Sequence, residues 1–378
     1  MNITYMIGNG FDVALGLKTQ YSDFLAYYCG LDKSKNPILR RFQEEIKKDD
    51  CDLWSCAEKA FGEMDWSGFA KSNSTETVKA FRECLIDFQR ELESYLRSQW
   101  KRFVLPEGRK GEELARGCLG RMFHLEKFMG SRFAHEYRQF VVQHGQINIR
   151  FIVFNYTDIL EQLWASIPPR QNDGVHVLDI KYGNTIFPSE MEQPCFVHGV
   201  FSRSKFLFGV DNANQIKDES IRAECERTGS LVKPYMDADS GLGYDDRARE
   251  LIESSDVIVT FGLSFGESDR IWWERLYQHI LGRGRVLVIC PYYGSQRAVL
   301  NFGDAAMIDR QEAVRKLFSS LEGDKKYQLD FNRNRVRTVR LLDDFEKDVG
   351  NGHKTRCDYF DLYALGQVAV KGEQEIAQ

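Results

Sequence analysis

The chain has no run of about 18 apolar residues, the length needed to cross a bilayer. Its longest apolar stretches, 257–262 and 286–290, are strand-sized, so no membrane span is expected. Proline is scarce, 8 in 378 residues, and no Pro/Gly/Ser-rich linker divides the chain. The nine cysteines are scattered and include no Cys-x-x-Cys pair. This excludes a four-cysteine zinc site, and the odd count argues against a secreted disulfide framework. The opening residues MNITYMIGNGFD have neither a basic region nor a long apolar one, so no signal peptide is expected. A reduced, cytoplasmic protein is the expectation. A basic excess is also missing: 51 Lys and Arg stand against 56 Asp and Glu, a net charge of −5. Nucleic acid is therefore not an expected partner.

What is present is the composition of a folded protein, 43% hydrophobic and 28% charged. The length corresponds to about two domains, or one with a large insertion. Aromatic residues, at 13%, point to a dense core ahead of a platform for flat ligands.

The chain opens with a strand, in which Ile3, Tyr5 and Ile7 alternate with Asn2, Thr4 and Met6. It breaks into Gly8-Asn9-Gly10-Phe11-Asp12, and helical spacing follows a cap near Thr19. From 37 to 143 apolar residues recur at three- and four-residue spacing, with no convincing strand. Strand patterns return at 148–155, 175–180, 195–198, 206–209, 257–261 and 286–290, with helices at 158–166, 245–254 and 268–281. The tail holds a helix at 310–321 and a strand at 336–342. Continuous β-branched runs followed by helices predict parallel strands covered on both faces. The fold class is therefore α/β, a doubly wound, mostly parallel sheet with a large helical insertion. Residues 1–36 and 146–350 form the α/β unit, 37–145 the inserted helical subdomain and 351–378 a tail.

Chemistry-bearing residues gather where predicted strands end. Gly8, Gly10 and Gly16 allow a tight turn and close approach of a phosphate, although a turn that binds nothing reads the same way. Position 13 is Val, so the turn is not the G-x-G-x-x-G fingerprint. Asn155 can hydrogen-bond a ribose or a water. Asp158 is either a ligand contact or, more simply, a helix cap with Glu161 completing a capping box. His198, before Gly199, can act as a base near neutral pH, or is a polar surface residue. Phe208-Gly209-Val210-Asp211 and the Gly262–Asp269 turn, with Ser264, close two further strands. There Ser268 or Asp269 can equally be a plain cap. Trp272 and Trp273 read as core, and the acidic stretch 237–246 as a solvated loop ahead of a metal site.

IGNGFDVALGLKTQYSDFL, FNYTDILE, the HG pair, FGVD and GLSFGESDRIWW resemble, in order, the motifs of the AbiH family of bacteriophage abortive-infection proteins. The family's usual His in the last motif is Leu263 here. More distantly, the order GNGFD, NYTD, HG, FG and G-x-S resembles the sirtuin-like, Rossmann-like NAD-binding fold, which also carries an early helical insertion. That resemblance implies Gly8, Gly10, Phe11 and Gly16 at the cofactor. It puts Asn155 and His198 at the reaction centre and Ser264 on the adenosine side. Asn9, Asp12, Thr19, Asp158, Gly209, Gly262 and Asp269, from the same turns, complete the candidate binding set. Two departures stand out. Thr157 occupies the position of an acidic residue, and Asp12 replaces a small hydroxyl residue where a carboxylate would repel a pyrophosphate unless it points away. The zinc-binding cysteines of sirtuin deacylases are absent, against protein deacylation.

The implied activity is NAD hydrolysis at the nicotinamide–ribose bond, with NAD as substrate and no metal. Depleting NAD would starve an infected cell. The alternatives are a nucleotide sensor without turnover, a nuclease-type effector and a protein-interaction module using the helical block. A homo-oligomer and a phage-derived trigger belong to this class of effector, and the sequence specifies neither.

Overall fold

The computed structural model describes residues 1–48, 54–69, 74–122, 131–182, 184–203, 205–241, 243–283, 287–292, 336–340, 345–348, 354–357, 365 and 368–371. Strand β1 (Asn2–Ile7) runs into the short α1 (Gly10–Ala14) and then α2 (Tyr21–Gly30). Five helices follow: α3 (Pro37–Ile46), α4 (Trp54–Glu63), α5 (Ser74–Trp100), α6 (Arg109–Met122) and α7 (Ser131–His144). Next come β2 (Ile147–Val153), α8 (Ile159–Ala165), β3 (His176–Tyr182), β4 (Thr185–Met191), β5 (Cys195–Phe196), β6 (Gly199–Val200) and β7 (Lys205–Phe206). Helices α9 (Glu219–Thr228), α10 (Lys233–Ser240) and α11 (Tyr244–Glu253) lead to β8 (Val257–Phe261), α12 (Arg270–Arg283), β9 (Leu287–Tyr292) and β10 (Val336–Arg340). Strands β11 (Phe345–Asp348) and β12 (Lys354–Cys357) pair antiparallel apart from the main sheet.

The main sheet has the order β10-β9-β8-β1-β2-β4-β3, and β5 pairs with the end of β2 beyond β4. All its pairings are parallel except β3 with β4. The expected mixed α/β, mostly parallel architecture is thus present. The side-chain period of two explains the layering. Ile3, Tyr5 and Ile7, with Ile149, Phe151, Val257 and Val259, face Leu15, Leu119, Tyr137 and Leu163 of the helices on one side. Met6, Ile152 and Ile258 face Leu251, Ile252, Trp272, Trp273 and Leu276 on the other. Trp272 and Trp273 are core, as expected.

The aromatic content goes into a second core. Phe24 of α2 and Phe42, Phe61, Trp66 and Phe88 of the helical block pack with Phe208, Ile221 and Leu231. Phe88 meets Phe24 and Phe61 edge-on at ring distances of 5.0 and 4.9 Å. This cluster ties α2–α5 to the segment that follows β7. Helix α3 starts where Asn36 accepts hydrogen bonds from the N–H groups of Ile38 and Leu39, with Pro37 in the first turn. Asn36→Ala is expected to cost about 1 kcal/mol in denaturant unfolding; an unchanged midpoint would contradict this.

Strand β4 is absent from the sequence reading, because TIFPSEM contains Pro188 and does not alternate cleanly. The expected strand at 206–209 shortens to β7, and that at 195–198 to β5, leaving His198 just beyond the strand. The expected helix at 310–321 lies outside the described residues. Among the described residues no helix is long and apolar enough to cross a membrane.

Candidate functional site

The strand order reverses at β1: β2 lies on one side, while β8, β9 and β10 continue on the other. The carboxyl ends at such a reversal form the crevice where open α/β sheets hold ligands. A cavity of about 330 Å³ sits there. The turns after β1 (Gly8, Asn9, Gly10, Asp12), β2 (Asn155, Tyr156, Thr157), β5 (His198) and β8 (Gly262, Ser264, Asp269) line it, and Trp54, Ser55 and Glu58 of α4 join them.

The glycines form its floor for a reason other than a ligand. Gly8 N–H donates to the Phe261 carbonyl at 2.8 Å, and Gly10 N–H to the Gly262 carbonyl at 3.0 Å. A Cβ on Gly10 would lie 2.5 Å from Gly262 Cα, and one on Gly8 2.5 Å from Gly262 O. The two turns touch backbone to backbone, which only glycine permits.

Asp12 is 1% exposed. Its Oδ1 accepts from Asn155 Nδ2 at 2.9 Å and its Oδ2 from the Thr157 hydroxyl at 2.6 Å. The side chain therefore turns toward the residues that follow β2. Burial pushes its carboxyl from 3.8 up to about 7, against the two hydrogen bonds and with help from Asp158. Because the folded value is raised, this group's contribution to stability is full below about pH 4 and is lost as pH rises through 7. Asn155, 4% exposed, gives its amide N–H to Asp12 and leaves Oδ1 buried with no hydrogen-bond partner. An unpaired buried acceptor is costly unless something fills it.

His198, also 4% exposed, faces two acceptors: Nδ1 lies 3.0 Å from the Phe154 carbonyl and Nε2 2.9 Å from Asp269 Oδ1. A proton on either nitrogen is hydrogen-bonded where it sits. Behind it runs a buried ionic chain. Lys233 Nζ donates to Asp269 Oδ1 at 2.8 Å and to Glu58 at 2.9 Å, and Tyr156 OH donates to Glu58 at 3.2 Å. Burial opposes ionisation of Asp269, but Lys233 and His198 outweigh it and hold its carboxyl well below the usual range. Burial raises Glu58, with Lys233 opposing. Burial opposes the Lys233 ammonium, but Asp269 and Glu58 beside it raise its value above the ordinary one.

Gly8, Asn9, Gly10, Asp12, Asn155, His198, Gly262, Ser264 and Asp269 thus share one cavity. Phe11 lies in the core, edge-on to Phe261. Gly16 adopts φ +90° just past α1. The Thr19 carbonyl accepts from Asn9 Nδ2 and Trp54 Nε1, so Thr19 braces the wall. Asp158 precedes α8 but makes no side-chain cap bond. Its Oδ1 accepts from Trp100 Nε1 and Gln162 Nε2, so the expected capping box with Glu161 is not formed. Gly209 N–H points at Glu58 Oε1 at 3.4 Å. Asp269 is the last residue of the 3-10 turn Glu267–Asp269 and bonds His198 and Lys233, where a plain cap was the alternative. The acidic stretch 237–246 is not a loop: it holds the end of α10 and the start of α11, and Asp245 pairs with Arg275 at 2.7 Å. Among the described residues no three His, Cys, Asp or Glu side chains cluster as metal ligands. Glu58 and Lys233 escaped the sequence reading, since neither lies in a recognisable motif.

Comparison with curated proteins and with solved structures found no match. A family model described as "Bacteriophage abortive infection AbiH" matches residues 4–290, which include all of the cavity-lining residues. The chain belongs to the AbiH family of bacteriophage abortive-infection proteins.

Proposed function

We propose that this abortive-infection protein works in the cytoplasm by binding NAD in the cavity and hydrolysing its nicotinamide–ribose bond. The carrying observation is the orphaned Asn155 Oδ1, a buried acceptor beside an imidazole in a cavity at the carboxyl edge of the sheet. A ribose hydroxyl or a positioned water supplies the missing donor. The nicotinamide ring of NAD is cationic and leaves as a neutral molecule with the bonding electron pair, so no general acid is needed. The bond breaks through an oxocarbenium-like state, as in glycoside hydrolysis. Asn155 then orients the attacking water, and a neutral His198, its Nδ1–H held by the Phe154 carbonyl, accepts that water's proton at Nε2 once this nitrogen turns from Asp269, which stays ionised and pairs with the imidazolium that forms. Asp12 gives its two carboxylate oxygens to Asn155 and Thr157, and these hydrogen bonds offset part of its repulsion of a pyrophosphate near the first turn. In this reading the sheet has the doubly wound, sirtuin-like character, residues 1–36 and 146–350 carry the ligand, and the inserted helices 37–145 roof it through α4.

One observation favours a second reading, binding without turnover: both ring nitrogens of His198 are already engaged. Purified protein incubated with NAD separates the two. Release of free nicotinamide, falling about a hundredfold in Asn155→Ala and in His198→Ala, is expected for hydrolysis. Binding with no release supports the sensor, and neither binding nor release refutes both.

A further inference from the structure

Asn155 can turn either its carbonyl or its amino group to the cavity, and the choice decides what the cavity recognises. An ionised carboxylate only accepts hydrogen bonds. Asp12 presents two such acceptors, one taken by the Thr157 hydroxyl and the other by Asn155 Nδ2. The amide is thereby pinned with Oδ1 free, and Oδ1 is the atom left without a partner. The backbone around it is rigid: Phe154 N–H donates to the Ile7 carbonyl at 2.8 Å, and Phe201 N–H to the Tyr156 carbonyl at 3.1 Å.

We propose that Asp12 is a positioning residue: its carboxylate fixes the Asn155 amide so that the cavity presents an acceptor and takes a ligand group that donates a hydrogen bond, and protonation of Asp12 releases that preference. This deepens the reading of the site given above and rests on it for the ligand alone. A protonated Asp12 gains an O–H donor. The Asn155 amide can then rotate by half a turn, give its carbonyl to Asp12 and show its amino group to the cavity. Thr157 still donates to the second carboxyl oxygen in both states. Burial pushes the carboxyl up to about 7, which brings both states within reach at physiological pH. Of the charged groups around it, Asp158 on the β2–α8 turn opposes its ionisation, while Glu58 of α4, His198 and Asp269 line other walls of the same cavity. Its own hydrogen-bond partners, Asn155 and Thr157, are neutral.

The test is a pH titration of the full chain labelled with [15N]asparagine. The Asn155 side-chain resonance is assigned by its disappearance in Asn155→Ala. In the wild type it is expected to shift with a midpoint near pH 7, and in Asp12→Asn to stay constant while thermal melting confirms folding. A wild-type resonance that does not move, or a midpoint kept in Asp12→Asn, overturns the inference. NAD affinity, measured by calorimetry, is expected to rise about tenfold from pH 6 to pH 8 in the wild type, following the ionised fraction, and to be flat in the variant. The same rise in both proteins also overturns it. Absence of NAD binding at every pH removes the functional reading instead, and the resonance still decides the role of Asp12.

Discussion

Lys233→Met is expected to destabilise the protein by about 3–5 kcal/mol, the cost of leaving buried charges without their partner. Lys233 is 6% exposed, and its ammonium joins Glu58, Asp269 and the Ser268 carbonyl, at 2.9, 2.8 and 3.2 Å. Methionine fills a similar volume, so the loss is electrostatic. Asp269 keeps His198, whereas Glu58 keeps neutral donors, the Tyr156 hydroxyl, Ser268 and the distant Gly209 N–H. Glu58 should therefore become protonated in the variant. Its folded-state value, already raised by burial, rises further, so the deficit grows with pH. Adding Glu58→Gln should recover part of the loss. Urea unfolding at two pH values measures this. A loss under 1 kcal/mol, or one that shrinks as pH rises, contradicts the assignment.

Gly262→Ala is expected to cost about 3 kcal/mol or more and to damage the cavity floor. Two effects add. The residue has φ +64°, a left-handed conformation that costs an L-residue about 1–2 kcal/mol. Its new Cβ would lie 2.7, 2.8 and 2.9 Å from the Cα, N and C of Gly10, which is backbone and cannot swing aside. Such overpacking adds about 1–3 kcal/mol. Gly16→Ala is the control: φ is +90°, but nothing lies within 4 Å of the added atom, so only the conformational term applies. Equal losses in the two variants would show that the turns do not press on each other.

The outline of this architecture is legible because period-two alternation and abrupt glycine breaks are local signals. Strand β1 announces itself in Ile3, Tyr5 and Ile7, and the turns that line the cavity follow strands the eye can find. What stays hidden depends on distant partners. Glu58 and Lys233 are 175 positions apart and meet only because α4 folds over the sheet edge. Asp12 and Thr157 look like two unrelated departures from the sirtuin-like pattern, yet their side chains bond across 145 positions. The capping box at Asp158 fails because the Trp100 indole, 58 residues earlier, takes its carboxylate. The glycines of the first turn suggested a phosphate, and their closest partner is Gly262 backbone.

A crystal grown with NAD or its cleaved ADP-ribose product would examine the whole account at once. Density is expected over the Gly8–Gly10 and Gly262 turns, with a ribose hydroxyl or a bound water donating to Asn155 Oδ1. A dinucleotide seated on another face of the molecule, with that carbonyl still unpaired, would contradict it.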